Sequence, residues 1–141
     1  MIYGLLEVPA IVWDENGMTK LAIVTGSVEL IVQTRDTETA RQILAVLPIQ
    51  ARTMTWGEEV YFPVPVNAGR EADAKDVIEP GEIAFWIQGH SIAIGFGRTP
   101  LSRGNEIRLA ASCNIWADAL GDVRQLGIIE DGEPIAVTRL T

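Results

Sequence analysis

The sequence contains only one cysteine and one histidine, Cys113 and His90, among its 141 residues. A single cysteine cannot form an intrachain disulfide, which fits a reducing compartment. A zinc site that requires two histidines is excluded, and Cys113 is the sole thiol that could replace one of them. We therefore expect no metal site.

Long hydrophobic runs are missing as well. No apolar stretch approaches the roughly 18 residues that a membrane-spanning helix requires. Residues 1–12 are apolar but include Glu7 and Pro9, and no basic segment precedes them as it would in a signal peptide. These absences predict a cytoplasmic protein with no membrane partner.

Basic side chains are scarce: 11 Lys and Arg stand against 19 Asp and Glu, a formal net charge of −8. Nucleic-acid affinity depends largely on basic side chains that displace counterions, so this acidic protein is not expected to bind nucleic acid. The segment Gly95-Phe96-Gly97 lacks the third glycine and the helix of a dinucleotide fingerprint, and no Walker sequence is present. We expect no cofactor.

The composition is otherwise that of an ordinary globular protein, with 48% hydrophobic and 21% charged residues. A chain of this length can bury a sizeable core without disulfides or metals. We therefore predict a single domain over residues 1–141.

Short β-prone segments separated by turn residues dominate the chain. In the second strand of a predicted hairpin, Val28, Leu30 and Val32 alternate with residues of the opposite, mixed face. The acidic segment 67–80 is predicted to be weakly ordered, and the Gly/Pro/Ser-rich segment 97–105 to be a loop. The predicted strands are residues 3–8, 11–13, 21–25, 28–34, 50–56, 59–66, 81–87, 91–96, 123–129 and 135–140.

One helix is predicted after Asp36 or Thr37, whose side-chain oxygens can accept hydrogen bonds from free backbone N–H groups of the first turn. Pro48 ends it, because proline disfavours helical geometry in the residue before it. Four apolar residues lie between at helical spacing: Ala40, Ile43, Leu44 and Leu47. Many short strands with one or two helices favour a closed or nearly closed antiparallel barrel.

A series of short motifs in fixed order carries a resemblance to a known family. They are Thr39-Ala40, Leu47-Pro48, residues 56–62 (WGEEVYF), 81–86 (GEIAFW), Gly89, 94–100 (IGFGRTP), 102–108 (SRGNEIR) and Asn114. Together they resemble the cyclophilin-like β-barrels of bacteria and archaea, small proteins mostly of unknown function. The resemblance spans roughly residues 20–140 and leaves 1–19 as an N-terminal extension. It implies a mostly β fold, a closed antiparallel barrel with one or two capping helices.

The activity that this resemblance implies is less direct than the fold. True cyclophilins are peptidyl-prolyl isomerases, which stabilise a twisted amide with an Arg in an aromatic and apolar groove. The strand expected to supply that Arg, residues 58–64, reads EEVYFPV and contains none. The resemblance therefore implies the barrel without implying the isomerase.

Three of the few basic residues gather in one loop and the strand after it: Arg98, Arg103 and Arg108. With Thr99, Ser102 and nearby backbone N–H groups they could hold a carboxylate or a phosphate. The alternative is that these arginines form ion pairs with acidic residues in the range 71–82.

Aromatic side chains are few, and most of them lie within the region of resemblance, among them Trp56, Tyr61, Phe85, Trp86, Phe96 and Trp116. They could line a groove for a peptide or a small apolar ligand, since pockets often occur at barrel mouths. They could instead fill the barrel core. Phe85 and Trp86 are adjacent in a predicted strand and must point to opposite faces, so at most one of them is a core residue.

Other candidate groups are weaker. Glu58 and Glu59 are adjacent strand residues that face apart, so they are poor candidates for joint acid–base chemistry. The carboxylates of the acidic segment, Glu71, Asp73 and Asp76, lack the ligand spacing of a calcium site. A nucleophile pair of His90 with Ser102 or Cys113 lacks a nucleophile-elbow sequence. No catalytic residue is predicted, and whether the protein is an enzyme stays open.

These observations leave three functional hypotheses. The first is a binding module without turnover that holds a small molecule or an extended peptide. The second is a peptidyl-prolyl isomerase in which Arg98 or Arg103 replaces the missing Arg. The third is a partner in an assembly, docked through an edge strand near Pro63, with the oligomeric state open. The predicted ligand-binding residues are Trp56, Tyr61, Phe85, Trp86, Phe96, Arg98, Thr99, Ser102, Arg103 and Asn114.

Overall fold

The computed structural model describes residues 18–140 as ten strands, one α-helix and one 3₁₀ helix. The strands predicted at 3–8 and 11–13 lie outside the described residues. The elements are β1 (Lys20–Thr25), β2 (Val28–Thr34), α1 (Glu38–Ala45), β3 (Ile49–Arg52), β4 (Met54–Thr55), β5 (Glu59–Pro63), β6 (Lys75–Ile78), β7 (Glu82–Trp86), β8 (Ser91–Gly95), β9 (Ile107–Ala119), the 3₁₀ helix (Val123–Ile128) and β10 (Pro134–Arg139). Within this part of the chain, no helix is long and apolar enough to cross a membrane.

The sheet closes into a barrel through one bent segment. The strand order is β3-β10-β1-β2-β9-β7-β8-β5-β4, and every pairing is antiparallel. The first strand of this order, β3, and the last, β4, are separated only by Thr53. The Thr53 hydroxyl donates to the carbonyl oxygen of Glu130 (2.6 Å) and accepts from the N–H of Glu133 (2.9 Å), which holds the bend. The mostly β, closed antiparallel barrel is confirmed.

Apolar side chains from alternate positions of the strands fill the barrel interior, which we call the interior core. The face of β2 that was predicted to be apolar, Val28, Leu30 and Val32, lies there and is buried. Trp116 is fully buried in the same core, and its indole N–H donates to the carbonyl oxygen of Ala84 (3.2 Å). Alternation therefore places one face of each wall strand inside the barrel and leaves the other face for additional structure.

Helix α1 covers the interior core, as its apolar stripe predicted. Thr37 is the N-cap, and its hydroxyl accepts from the N–H of Ala40 (3.0 Å). Ile43 and Leu44 are buried against the barrel. The helix ends at Ala45, slightly before the last residue of the stripe.

The prediction that residues 67–80 are weakly ordered is wrong. Ala68 is buried, and β6 within this segment pairs with β9. The buried Asn114 side chain holds the segment, because its Oδ1 accepts from the N–H of Glu71 (2.9 Å) and its Nδ2 donates to the carbonyl oxygen of Gly69 (2.8 Å). One polar side chain from β9 thus orders a segment that has few apolar residues of its own.

The strand predicted at residues 123–129 is also wrong, because Val123–Ile128 forms the 3₁₀ helix. Its two buried side chains, Val123 and Leu126, are three residues apart and therefore share one face of a helix with three residues per turn. The Asp122 carboxylate caps its start by accepting from the N–H of Arg124 (2.9 Å). The 13-residue β9 had not been predicted as a strand.

Candidate functional site

A second apolar cluster lies on the outer face of the barrel wall formed by β5, β7, β8 and β9. Along β5, Val60 and Phe62 enter the interior core, whereas Glu59 and Tyr61 face outward. Tyr61 pairs with Ala93 of β8, which in turn pairs with Ala84 of β7. The small alanine side chains leave a shallow floor between larger side chains on this outer face.

An irregularity in β9 raises one rim of this floor. Val77 of β6 pairs with Arg108, whereas Lys75, only two residues earlier, pairs with Cys113. Four residues of β9 therefore bulge between these two pairings. Bulges of this kind re-aim side chains and are common beside functional sites.

Together these features enclose a cavity of about 200 Å³ on the outer wall, which we call the outer-wall cavity. It lies outside the barrel and does not coincide with the barrel mouth considered in the sequence analysis. Its lining residues are Trp56, Glu59, Tyr61, Trp86, Ala93, Leu109, Ala110 and Cys113. Three of the six aromatic residues considered from the sequence thus meet at one place.

The aromatic wall of the cavity is bent rather than flat. The rings of Tyr61 and Trp86 are in an edge-to-face contact, with centroids 6.0 Å apart and planes at 86°. Trp86, Tyr61 and Trp56 are each partly exposed. Two perpendicular rings and a third nearby form a corner into which a small molecule can fit.

Glu59 is the one acidic residue among the described lining residues, and its side chain is buried. The residue is only 6% exposed, and its Oε1 atom has no hydrogen-bond partner among the described residues. Burial raises the pKa of the Glu59 carboxyl from an ordinary 4.5 to about 7. The carboxyl is therefore balanced between its neutral and charged forms near neutral pH.

Apolar side chains pack over Gly95, the residue opposite the buried Glu59. Gly95 is the register partner of Glu59 on β8. A Cβ atom at Gly95 would lie 2.6 Å from Cγ2 of Ile107 and 3.5 Å from Cδ1 of Ile78. These apolar side chains therefore lie directly on the backbone of Gly95, opposite Glu59 in the sheet.

Cys113 is a thiol rather than a nucleophilic thiolate. Burial first, and then the charges of Glu59 and Asp76, raise the pKa of the Cys113 thiol to about 12. Its Sγ donates to the carbonyl oxygen of Ala111 (3.3 Å). In this state Cys113 contributes an apolar, polarisable surface to the cavity.

The remaining aromatic and amide residues predicted to bind ligand have other surroundings. Phe85 is fully buried in the interior core, which confirms that only one of the pair with Trp86 is a core residue. Phe96 packs against the same core. Asn114 is fully buried in its hydrogen-bond network. These three residues, like Trp116, do not line the outer-wall cavity.

The arginines of the predicted anion site have partners within the protein. The Arg98 guanidinium donates to the carbonyl oxygens of Gly104 and Ser102. Arg108 pairs with Asp76 (2.9 Å) and Glu106 (2.6 Å). Pairing with the acidic segment is thus confirmed for Arg108, whereas an anion site stays a prediction.

Thr99, Ser102 and Arg103 stabilise the same loop. The Thr99 hydroxyl donates to the carbonyl oxygen of Arg108, and the Ser102 hydroxyl accepts from the N–H of Thr99 (2.9 Å). Arg103 donates its backbone N–H to Glu106 (2.9 Å). These contacts use the side chains of Thr99 and Ser102 but only the backbone of Arg103.

The other chemical candidates do not assemble into a site in the part of the chain that the structure describes. His90 lies between β7 and β8, with its Nδ1 3.2 Å from the carbonyl oxygen of Val66. Neither Ser102 nor Cys113 shares a hydrogen bond with it. No group of three or more His, Cys, Asp or Glu side chains among residues 18–140 is placed to hold a metal ion.

Sequence reasoning missed Glu59 as a site residue. Its rejection as a partner of Glu58 was correct, because Glu58 accepts from the N–H of Arg98 while Glu59 lines the cavity. The available signal was its position two residues before Tyr61, which places both on one face of a strand. The contribution of Leu109, Ala110 and Cys113 depends on the β9 bulge, which has no signature in the sequence.

Gly89 provides a test of the aromatic wall. A Cβ atom at this position would overlap the six-membered ring of Trp86. Gly89→Ala should therefore displace the Trp86 ring, and the NOEs between Trp86 and Tyr61 should disappear from the NMR spectrum. The free energy of unfolding should fall by about 1–3 kcal/mol. Gly69→Ala is the matched control, since a Cβ there has no atom within 4 Å. Unchanged Trp86–Tyr61 NOEs in Gly89→Ala would contradict this packing.

The chain resembles known proteins in sequence and in structure. A family model described as Cyclophilin-like matches residues 19–138. The solution structure of the hypothetical protein AF2241 from Archaeoglobus fulgidus is similar, with 35% sequence identity and a TM-score of 0.74, over 86% of this chain and 95% of that chain. A search of curated proteins gave no match. The family match extends from β1 into β10, and the chain belongs to the Cyclophilin-like family.

Proposed function

We propose that the protein is a binding module that holds a small ligand in the outer-wall cavity without chemical turnover. The observation that carries this proposal is the buried Glu59 carboxyl, which has an unpartnered oxygen in a cavity lined by three aromatic rings. A buried polar atom without a partner costs stability, and pockets that combine apolar walls with a few polar groups are typical ligand sites.

The size of the cavity favours a small molecule over an extended peptide. A cavity of roughly 150 Å³ is known to admit benzene, so one of about 200 Å³ accommodates a ligand somewhat larger than a single aromatic ring. Such a ligand would displace water from the rings and supply a partner for Glu59.

The chemistry of the lining supports binding rather than turnover. Cys113 is held as a thiol, and Glu59 has no second acid or base beside it in the lining except the phenol of Tyr61. The alternative, a peptidyl-prolyl isomerase that uses Arg98 or Arg103, is disfavoured because neither arginine is among the lining residues. Prolyl cis/trans exchange of short Xaa-Pro peptides, followed by NMR, should not accelerate when the protein is added.

A fragment screen followed by amide chemical-shift mapping tests the binding proposal. We expect bound fragments to shift the amide signals of Glu59, Tyr61 and Cys113. Trp86→Ala should lower the affinity of these fragments about tenfold or more, because it removes aromatic contact area. Ile128→Ala, which truncates an exposed side chain outside the cavity, is the control. Fragments that bind only elsewhere, or equally well to Trp86→Ala, would overturn the proposal.

A further inference from the structure

The outer-wall cavity has a distinctive electrostatic character. Three aromatic rings and several aliphatic side chains surround Glu59, and none of the described lining residues is basic. Among residues 18–140, no lining side chain compensates a charged carboxylate in this position with a positive charge. A cationic ligand would supply that charge.

On the basis of the proposed function, we propose that the ligand is a small organic cation with an alkylated ammonium group. Glu59 would provide the countercharge, and Trp56, Tyr61 and Trp86 would surround the alkyl groups. The face of an aromatic ring attracts a cation through its quadrupole, and cages of such rings recognise quaternary ammonium groups.

The burial of Glu59 explains why a cation would be preferred over a neutral ligand of the same shape. Its Oε1 atom lacks a partner, and the residue is 94% removed from solvent, as its 6% exposure indicates. A nearby positive charge stabilises the ionised form of a buried carboxyl that burial otherwise disfavours. A neutral ligand provides no such compensation.

The shortage of hydrogen-bond acceptors favours an alkylated ammonium over a primary one. A primary ammonium has three N–H donors that each need an acceptor in a dry site. The lining side chains offer the Glu59 carboxylate and the Tyr61 hydroxyl, while Cys113 is a weak acceptor. An ammonium with methyl groups in place of N–H groups can pack against the rings and needs only the countercharge.

Other charges near the cavity agree with this assignment. The titratable lining residues besides Glu59 are Tyr61 and Cys113. On β6, Lys75 is the register partner of Cys113, and its Nζ pairs with Glu82 (2.7 Å). Arg108 is neutralised by Asp76 and Glu106. The charge of Asp76 also reaches Cys113, and the protein as a whole carries −8. The surrounding field therefore attracts cations.

Choline and its neutral carbon isostere, 3,3-dimethylbutan-1-ol, provide a direct test by isothermal titration calorimetry. We expect choline to bind about tenfold or more tightly than the alcohol, because only choline interacts electrostatically with the rings and with Glu59. Glu59→Gln should lower the affinity for choline about tenfold or more and leave the affinity for the alcohol unchanged. Glu29→Gln, which removes an exposed carboxylate of β2, is the matched control and should change neither affinity.

The pH dependence gives an independent readout. Because the cation requires the ionised carboxyl, choline affinity should be about tenfold lower near pH 6 than near pH 8, and binding near pH 7 should release about half a proton. A neutral ligand that bonds to the protonated carboxyl would show the opposite trend. Proton release is measured by calorimetry in buffers of different ionisation enthalpy.

The outcomes separate the two proposals. Equal binding of choline and the alcohol, insensitive to Glu59→Gln but weakened by Trp86→Ala, would overturn the cation assignment and leave the binding cavity in place. Failure of choline to bind would also overturn the cation assignment, while the fragment screen would decide the cavity separately. Choline binding that neither variant changes would indicate a site elsewhere and overturn the assignment.

Discussion

Replacing Glu59 with Gln should make the protein more stable than the wild type at alkaline pH while preserving the fold. Burial raises the pKa of Glu59 from 4.5 to about 7, and each tenfold change in an ionisation constant is worth about 1.4 kcal/mol. Ionisation of Glu59 therefore lowers the free energy of unfolding of the wild type by about 3 kcal/mol in all. About 2 kcal/mol of this loss occurs between about pH 5.5 and pH 8. We expect the free energy of unfolding of Glu59→Gln, relative to wild type, to rise by about 2 kcal/mol over that interval.

The sign follows from the number of protons that each state binds. Between the unfolded pKa of 4.5 and the folded pKa of about 7, the folded protein keeps the Glu59 proton while the unfolded chain releases it. The contribution of Glu59 to the stability of the wild type therefore falls as pH rises through this window and levels off above it. Gln cannot ionise, so the variant lacks this contribution.

Urea unfolding at several pH values measures this difference. Other carboxyls, such as Glu82 and Glu106, have lowered pKa values because they bond to Lys75 and Arg108. Their contributions are present in both proteins and cancel in the comparison. Glu29→Gln should show no pH-dependent difference from wild type. A Glu59→Gln difference that is constant with pH would mean that the Glu59 carboxyl is hydrated in the folded protein.

The stability cost of Glu59 bears on function. A glutamine in its place would avoid the ionisation penalty, so the carboxyl is not explained by folding. Groups with strongly perturbed pKa values in cavities are frequent at functional sites, where stability is exchanged for binding or chemistry. This cost is what the ligand proposed for the outer-wall cavity would offset on binding.

The features of the fold that could be predicted are those with a local cause. The alternation of Val28, Leu30 and Val32 specified one buried face, and Thr37 with the stripe through Ile43 specified the helix. Strand alternation also separated Phe85 from Trp86 correctly. In each case the deciding interaction lies within a few residues of the chain.

The features that escaped prediction depend on distant contacts. Glu59 is buried beside Gly95, over which Ile107 and Ile78 pack, and these three residues come from three separate strands. The order of residues 67–80 depends on Asn114, more than 30 residues later in the chain. The polar composition of that segment indicated disorder, because a propensity argument cannot register one buried amide from another strand.

Replacing Asn114 with Ala should produce the largest loss of stability outside the hydrophobic core. The fully buried side chain makes three hydrogen bonds beyond its own strand, to the N–H of Glu71 (2.9 Å), the carbonyl oxygen of Gly69 (2.8 Å) and the hydroxyl of Thr39 (2.9 Å). Alanine would deprive the part-buried N–H of Glu71 and carbonyl oxygen of Gly69 of this partner, while the Thr39 hydroxyl would keep only its bond to Glu71. A loss of about 3 kcal/mol in the free energy of unfolding is expected.

The effect should also be local, because Asn114 joins three elements. Glu71 accepts hydrogen bonds from both the N–H (3.0 Å) and the hydroxyl of Thr39, so the same network holds the first turn of α1. Amide hydrogen exchange in Asn114→Ala should therefore accelerate first in residues 67–78 and at the start of α1, while the interior strands remain protected. Asn105→Ala deletes the same side chain at an exposed position, and it should change neither the free energy of unfolding nor the amide hydrogen exchange. If exchange in Asn114→Ala rose uniformly, the amide would act through the whole barrel. If residues 67–78 stayed protected, something other than Asn114 would hold that segment against the wall that carries the cavity.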